Sequence, residues 1–326
     1  MKALIDGDIL VYRCGFAAEH NRYTLGGVGF ENYNDMRAWA KAHGLEADEL
    51  KEAEVRREIE PVENALSNVK SVMGTILETL GVTDHNYITF LSSGECFRND
   101  IATIMEYKGN RRDAPRPVHY DAIRTYIQKH HPTVMCNSIE ADDALAMCKE
   151  EDDVIVSIDK DLLQIPGKHY NWVKDERILI LPEVGRKKFW MQVLTGDSTD
   201  NIPGIYGIGE KRARDIINSV KVEDHVALAA DDYYYMEVLN QWEEFLKSDK
   251  KKPFINLNYH SDVNAWSYEH WSGAVPEPII RSVGDIVMEI CQLISIGGED
   301  AQQALEESGE EIPLPRTTKR KESAAA

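Results

Sequence analysis

Val154-Ile155-Val156-Ser157-Ile158-Asp159-Lys160-Asp161 is the stretch on which the reading of the fold turns. Residues 154–158 are nearly all apolar, and two carboxylates follow at once. An apolar run without polar alternation is the mark of a strand buried on both faces, as in parallel sheets covered by helices. In extended chain, residues two apart point the same way, so Asp159 and Asp161 are expected to face one cation. The competing reading is a helix N-cap with a solvated neighbour.

Further short strands are predicted at residues 3–5, 87–91 and 133–136, and a hairpin at 23–30 around Gly26, Gly27 and Gly29. Helices are predicted at 9–18, 34–42, 47–57, 122–127 and 141–148. A longer helix opens at Pro61 and stops at Gly81; its apolar Ala65, Leu66, Val69, Val72, Met73, Ile76, Leu77 and Leu80 follow helical spacing. Strands alternating with helices predict an α/β fold, a mainly parallel central sheet flanked by helices. Ligands of such sheets sit at the carboxyl ends of the strands. After Phe189 the pattern turns helical, with candidates at 233–246 and 279–293 and irregular aromatic-rich sequence between them.

Nine acids fall into four short clusters at or near such ends: Asp6 and Asp8; Glu140, Asp142 and Asp143; Asp159 and Asp161; Asp197 and Asp200. No histidine or cysteine cluster accompanies them. Hard oxygen ligands suit Mg²⁺ or Mn²⁺ rather than zinc. A paired-metal site of this kind stabilises the attacking and leaving oxygens of a phosphodiester. Glu140 and Asp143 lie three apart at a helix start and share a face. Capping explains one acid there, and three exceed what a cap needs.

Two basic segments complete the pattern. Gly204-x-x-Gly207-x-Gly209 leads into Lys211 and Arg212, where backbone N–H groups and cations at a helix start would hold a phosphate. Alone it would be an ordinary glycine-rich turn. Tyr107-Lys108-Gly109-Asn110-Arg111-Arg112 puts an aromatic and three cations between two acid-bearing segments. That suits gripping a DNA end by stacking and phosphate contact, against the plain reading of a solvated charge run.

Composition narrows the classes. The chain has 326 residues, 43% of them hydrophobic, a formal net charge of -19 and five cysteines without CxxC pairing. The charge argues against indiscriminate nucleic-acid binding. The odd cysteine count reads as reduced thiols in a cytoplasmic protein. No run is apolar enough to cross a membrane, and the sequence opens into a strand rather than a signal segment.

Taken in order, these segments closely resemble the 5′-nuclease family: flap endonucleases, the 5′-nuclease domain of bacterial DNA polymerase I and the short 5′→3′ exonucleases of tailed phages. The resemblance covers residues 2–217. It implies a PIN-like fold and a metal set of Asp6, Glu140, Asp142, Asp143, Asp159, Asp161, Asp197 and Asp200. The glycine segment is similar to the family's helix-two-turn-helix element, which implies duplex contacts by Gly204, Gly207, Gly209, Lys211 and Arg212 and a K⁺ ion. Lys108 and Arg111 match the segment near the scissile phosphate and are the implied catalytic cations; Tyr107 and Arg112 are the neighbouring DNA contacts. An aspartate that normally follows the second strand is missing, and Ser93 is the best match to its position: either Ser93 serves through water, Glu95 substitutes, or the site works with one fewer acid. The resemblance implies two-metal hydrolysis of DNA, or of RNA primers on DNA, from 5′ ends or flaps during phage replication. The rival is a DNA-structure-binding protein of the same fold with little or no nuclease activity. The expected organisation is a nuclease core over 1–190, a helical DNA-binding region over 191–312 and a disordered tail over 313–326.

Overall fold

The computed structural model describes residues 1–83, 86–222, 230–248, 257–309 and 312. The expected tail at 313–326 lies outside the described residues. The chain divides into two compact units, one of Met1–Asp6, Phe90–Ala114 and Val134–Ala326, the other of Gly7–Thr89 and Pro115–Thr133.

The elements run in order as β1 (Ala3–Asp6), α1 (Gly7–Phe16), β2 (Glu19–Leu25), β3 (Val28–Phe30), α2 (Tyr33–Ala42), β4 (Glu54–Ile59), α3 (Val62–Leu80), β5 (Tyr87–Ser92), α4 (Arg98–Ile101), α5 (Tyr120–His130), β6 (Thr133–Cys136), α6 (Ala141–Cys148) and β7 (Val154–Val156). They continue as β8 (Gly167–Asn171), β9 (Glu176–Ile180), α7 (Pro182–Thr195), α8 (Glu210–Ser219), α9 (Ala230–Lys247), β10 (Asn258–His260), β11 (Ala265–Tyr268), β12 (Ile279–Arg281), α10 (Val283–Ile294) and α11 (Glu299–Ser308).

The central sheet has the order β6-β5-β1-β7-β8-β9. It is mainly parallel, as the apolar runs predict. β1 and β7 pair in parallel with Ile5 opposite Val156, and every residue of both strands is buried. This register brings Asp6 and Ser157 together at the carboxyl ends of the two strands. The antiparallel edge strand β9 pairs with β8; that hairpin has no counterpart in the sequence reading.

In the same unit, α7 to α10 enclose a second core around Val193, Leu194, Trp242, Trp266, Ile286 and Ile290. The region read as helical also holds an antiparallel sheet, β10-β11-β12. Residues 279–281, expected to start a helix, pair instead with β11. The helix begins after Ser282, whose hydroxyl accepts the N–H of Asp285 at 3.2 Å while the Asp285 side chain caps in return.

In the other unit, α3 buries Ala65, Val69, Met73 and Ile76 along one stripe. Gly81 closes it with φ 64, the left-handed conformation that favours glycine. The predicted hairpin at 23–30 forms as β2 and β3. The predicted helix at 47–57 does not form. A single 3₁₀ turn covers Glu49–Glu52, and Glu54–Ile59 pairs antiparallel with β2. The charged composition reads as an exposed helix, but a partner strand with complementary charges wins: Arg57 pairs with Glu19, and Arg22 with Glu58 at 3.1 Å.

Candidate metal and nucleic-acid site

All eight acids of the expected metal set lie in the unit that contains the central sheet, on its strand ends and the segments that follow. They sort into groups with different partners.

Asp6, Asp142 and Asp159 form the group in which like charges crowd one another. Asp6, buried at the end of β1, accepts the Ser157 hydroxyl at 2.7 Å. Asp142 sits in the first turn of α6. Burial pushes its carboxyl well above the usual range, and the charges of Asp6, Asp159 and Glu140 push it the same way. Clustered carboxylates that repel one another in a poorly solvated place are what a bound cation relieves. This is the chemistry of the donor set. Among the described residues, though, no group of three or more His, Cys, Asp and Glu side chains stands ready at metal-ligand geometry.

Glu140 and Asp143 are held by protein donors. Glu140 is the N-cap of α6, and the two side chains form a reciprocal capping box. Arg98, buried in α4, donates to both Asp143 oxygens at 2.6 and 2.8 Å and to Glu140 at 3.2 Å. The N–H groups of Glu140 and Gly297 also donate to Asp143, at 3.2 and 2.9 Å. Four donors on two oxygens leave a fully buried carboxylate nothing to offer an ion. The expectation of Asp143 as a ligand is therefore corrected: it anchors the helix start that presents Asp142.

Glu140 also accepts from Lys108 and, at 2.7 Å, from the Tyr107 hydroxyl. Burial opposes its charge, but Lys108 and Arg98 outweigh that and hold its carboxyl below the ordinary value. Burial likewise opposes the Lys108 cation, and Glu140 and Asp200 raise its pKa above the ordinary lysine range. Asp200 pairs with Arg111 at 2.6 Å. Burial nevertheless raises its carboxyl, Lys108 and Arg111 offsetting only part.

Asp161 and Asp197 share a side-chain hydrogen bond. Burial, then Asp159 and Asp197, push Asp161 up to about 7. Asp197 stays below its ordinary value because the N–H groups of Thr199 and Asp200 and the Asp161 bond outweigh burial. The expected extended geometry of the Asp159–Asp161 pair is not found. β7 ends at Val156, and Asp159 accepts the Asp161 N–H at 2.9 Å, starting a 3₁₀ turn over Asp161–Gln164. A short acidic side chain bonding the chain two residues on outcompetes continued strand.

Tyr107 corrects a second expectation. Its ring is 6% exposed, and its hydroxyl bridges Glu140 and Asp200, the latter at 3.1 Å. It cannot stack on a base. It fixes the turn in which Lys108 adopts φ 55 and donates its N–H to Asp200 O at 2.8 Å. Arg112 is exposed and paired with Glu106. Ser93 is exposed, its hydroxyl 3.3 Å from Asn137 O, and Glu95 is exposed.

The glycine segment links α7 to α8. Gly204 packs so closely that a Cβ there would lie 2.0 Å from Thr195 O. Gly207 has φ 84, and Gly209 is the N-cap of α8. Lys211 and Arg212 are exposed in the first turn that follows, beside N–H groups that favour an anion.

Arg98 and Ser157 were absent from the expected site set. The acid partners of Arg98 lie 42 and 45 residues on, so the sequence gives no local signal for the first. A serine between an apolar strand and an acid gives no distinctive one.

No family model matches the chain. It is 35% identical over 158 residues to DNA polymerase I of Rhizobium leguminosarum, covering 42% of this chain and 15% of that protein. It is 32% identical over 179 residues to a 5'-3' exonuclease of Buchnera aphidicola subsp. Schizaphis graminum, covering 46% of this chain and 62% of that one. The chain thus spans less than two thirds of the length of these relatives. The T5 D15 protein co-crystallised with metal ions has the same fold, with TM-score 0.50 and 15% identity over 94% of this chain and 95% of that one.

Proposed function

We propose that this chain, which has the fold of the T5 D15 protein and stretches of sequence in common with 5'-3' exonucleases and DNA polymerase I, is a Mg²⁺-dependent 5′-nuclease. Its substrate is DNA, or RNA primer on DNA, taken from 5′ ends or flaps. The observation that carries this reading is the crowding of Asp6 and Asp159 on the buried Asp142 carboxyl, together with Lys108 and Arg111 held on Glu140 and Asp200.

Asp6, Asp142 and Asp159 would hold one divalent ion. Asp161, Asp197 and Asp200 would serve a second, while Glu140, whose oxygens already accept from Arg98, Lys108 and Tyr107, orients Lys108. Ions held there would supply charge neutralisation and lower the pKa of a water for hydrolysis. Lys108, kept cationic by Glu140 and Asp200, and Arg111 offer N–H donors to the phosphate as negative charge builds. Arg98 and Tyr107 orient Glu140 and the turn that carries Lys108. Lys211, Arg212 and the N–H groups at the start of α8 grip duplex backbone away from the chemistry, with K⁺ at the glycine turns.

The test is Asp159→Asn with Asp161→Asn. Single-turnover cleavage of a 5′-overhang duplex in Mg²⁺ should be lost. Binding of the same duplex in Ca²⁺ should remain, or tighten as repulsion falls. A wild-type cleavage rate in the double variant would remove these acids from the metal site. A wild-type protein that binds the duplex without cutting it would favour the structure-binding reading.

A further inference from the structure

The segment that brings Lys108 and Arg111 to the acids has little regular structure of its own. α4 ends at Ile101, and residues 102–108 are turns and irregular backbone. Buried polar backbone must find partners, and here they come from the C-terminal part of the same unit. Thr103 and Ile104 donate their N–H groups to Glu289 Oε1 at 2.8 and 3.1 Å. The Thr103 hydroxyl donates to Glu289 Oε2 and meets the Tyr268 hydroxyl at 2.8 Å. The Trp271 N–H donates to Thr103 O at 3.2 Å, and its indole N–H to Ala102 O at 2.7 Å. Glu289, on α10, is 2% exposed, and its remaining charge partner is Arg281 at 2.7 Å.

The other end of the segment is fixed by the loop that follows α7. Asn201 donates to Glu106 O at 2.9 Å, Asn110 to Ser198 O at 2.6 Å and Arg111 to Thr199 O at 2.7 Å. Lys108 therefore sits on a short strap tied at both ends. One tie comes from residues at the acidic cluster. The other comes from Glu289, Tyr268 and Trp271, whose bonds to the strap involve no acid of the candidate site.

We propose that Glu289, braced by Arg281 and assisted by Trp271, is a positioning residue: it fixes residues 102–104 and thereby sets Lys108 against the acidic cluster for the chemical step. The inference rests on the nuclease reading above and gives a role to the chain beyond residue 257. A buried ion pair is weak as a source of stability. A fully satisfied polar network does fix one geometry, and displacement of a catalytic group by about 1 Å can cost about 100-fold in rate.

The experiment is a double-mutant cycle on single-turnover cleavage of a 5′-overhang duplex in Mg²⁺, with duplex affinity measured separately in Ca²⁺. Glu289→Gln keeps the shape of the side chain and turns one acceptor into a donor. It should slow cleavage roughly tenfold and leave the dissociation constant within about twofold. Trp271→Phe, which removes only the indole N–H bond, should slow cleavage a few-fold. In a Lys108→Ala background, Glu289→Gln should cost less than about twofold, because the group it positions is gone. Loss of stability alone would not produce that non-additivity.

Wild-type rates in folded Glu289→Gln and Trp271→Phe would overturn the inference while leaving the nuclease reading intact. So would an equal slowing with and without Lys108. If Glu289→Gln fails to fold, Trp271→Phe runs the same cycle with the same criteria. Absence of cleavage by the wild-type protein would overturn the nuclease reading and this role with it.

Discussion

Replacing Arg98 by methionine should be the most damaging single change near the site. The guanidinium donates to Asp143 twice, to Glu140, and to the carbonyls of Leu293 and Ser295. Its side chain is 3% exposed and that of Asp143 is 0%. Methionine fills much of the volume, so the cost is electrostatic. Breaking a buried pair from one side costs about 3–5 kcal/mol, because an uncompensated charge stays behind. Asp143 keeps the N–H groups of Glu140 and Gly297, which places the expectation at about 3–4 kcal/mol. The double variant Arg98→Met with Asp143→Leu removes the stranded charge. It leaves the two carbonyls and two N–H groups short of partners, so recovery should be partial, with the double less damaging than the sum by about 2 kcal/mol. Urea denaturation at pH 7 in chelator, followed by tryptophan fluorescence, measures all three proteins. A loss under about 1 kcal/mol in Arg98→Met, or strict additivity in the double, would refute the claim that this pair anchors the start of α6.

Three further outcomes are expected. Asp142 has a folded pKa raised by burial and then by Asp6, Asp159 and Glu140; in metal-free protein its stability contribution is present below the unfolded pKa and lost as pH rises through the folded one. Asp142→Asn should therefore raise the melting temperature in chelator at pH 8, with the gain vanishing toward pH 4, while cleavage in Mg²⁺ disappears; a lower melting temperature at pH 8 would contradict the charge-repulsion account. Lys211→Glu with Arg212→Glu should weaken duplex binding and reduce the slope of log affinity against log salt by about one to two units, since each cation that neutralises a phosphate contributes about one; unchanged affinity across salt concentrations would exclude α8 from the grip. Gly204→Ala should destabilise by about 1–3 kcal/mol, since its Cβ would fall 2.0 Å from Thr195 O; calorimetry showing no change would mean that the α7–α8 turn is more yielding than its packing implies.

The sequence by itself determined β1, β5, β6 and β7 of the central sheet, the β2–β3 hairpin, most helices and the positions of the acid clusters. Apolar runs such as residues 154–156 need burial on both faces whatever surrounds them, and Gly81 or Pro61 acts through its own backbone. The order of the acid clusters was legible because it is a property of the chain itself, whereas the partner of each acid was not. Tertiary structure decided whatever depends on a partner distant in sequence. Glu54–Ile59 became a strand because β2 supplied its ladder and countercharges. Asp143 became an anchor because Arg98 and Gly297 saturate it, and Tyr107 a buried brace because Glu140 and Asp200 flank its hydroxyl. The different partners of eight similar carboxylates, basic side chains for Glu140, Asp143 and Asp200 and neighbouring acids for Asp142 and Asp161, follow from distances that only the folded chain sets. Electrostatic energies vary with separation and burial, and a sequence specifies neither until the chain has closed on itself.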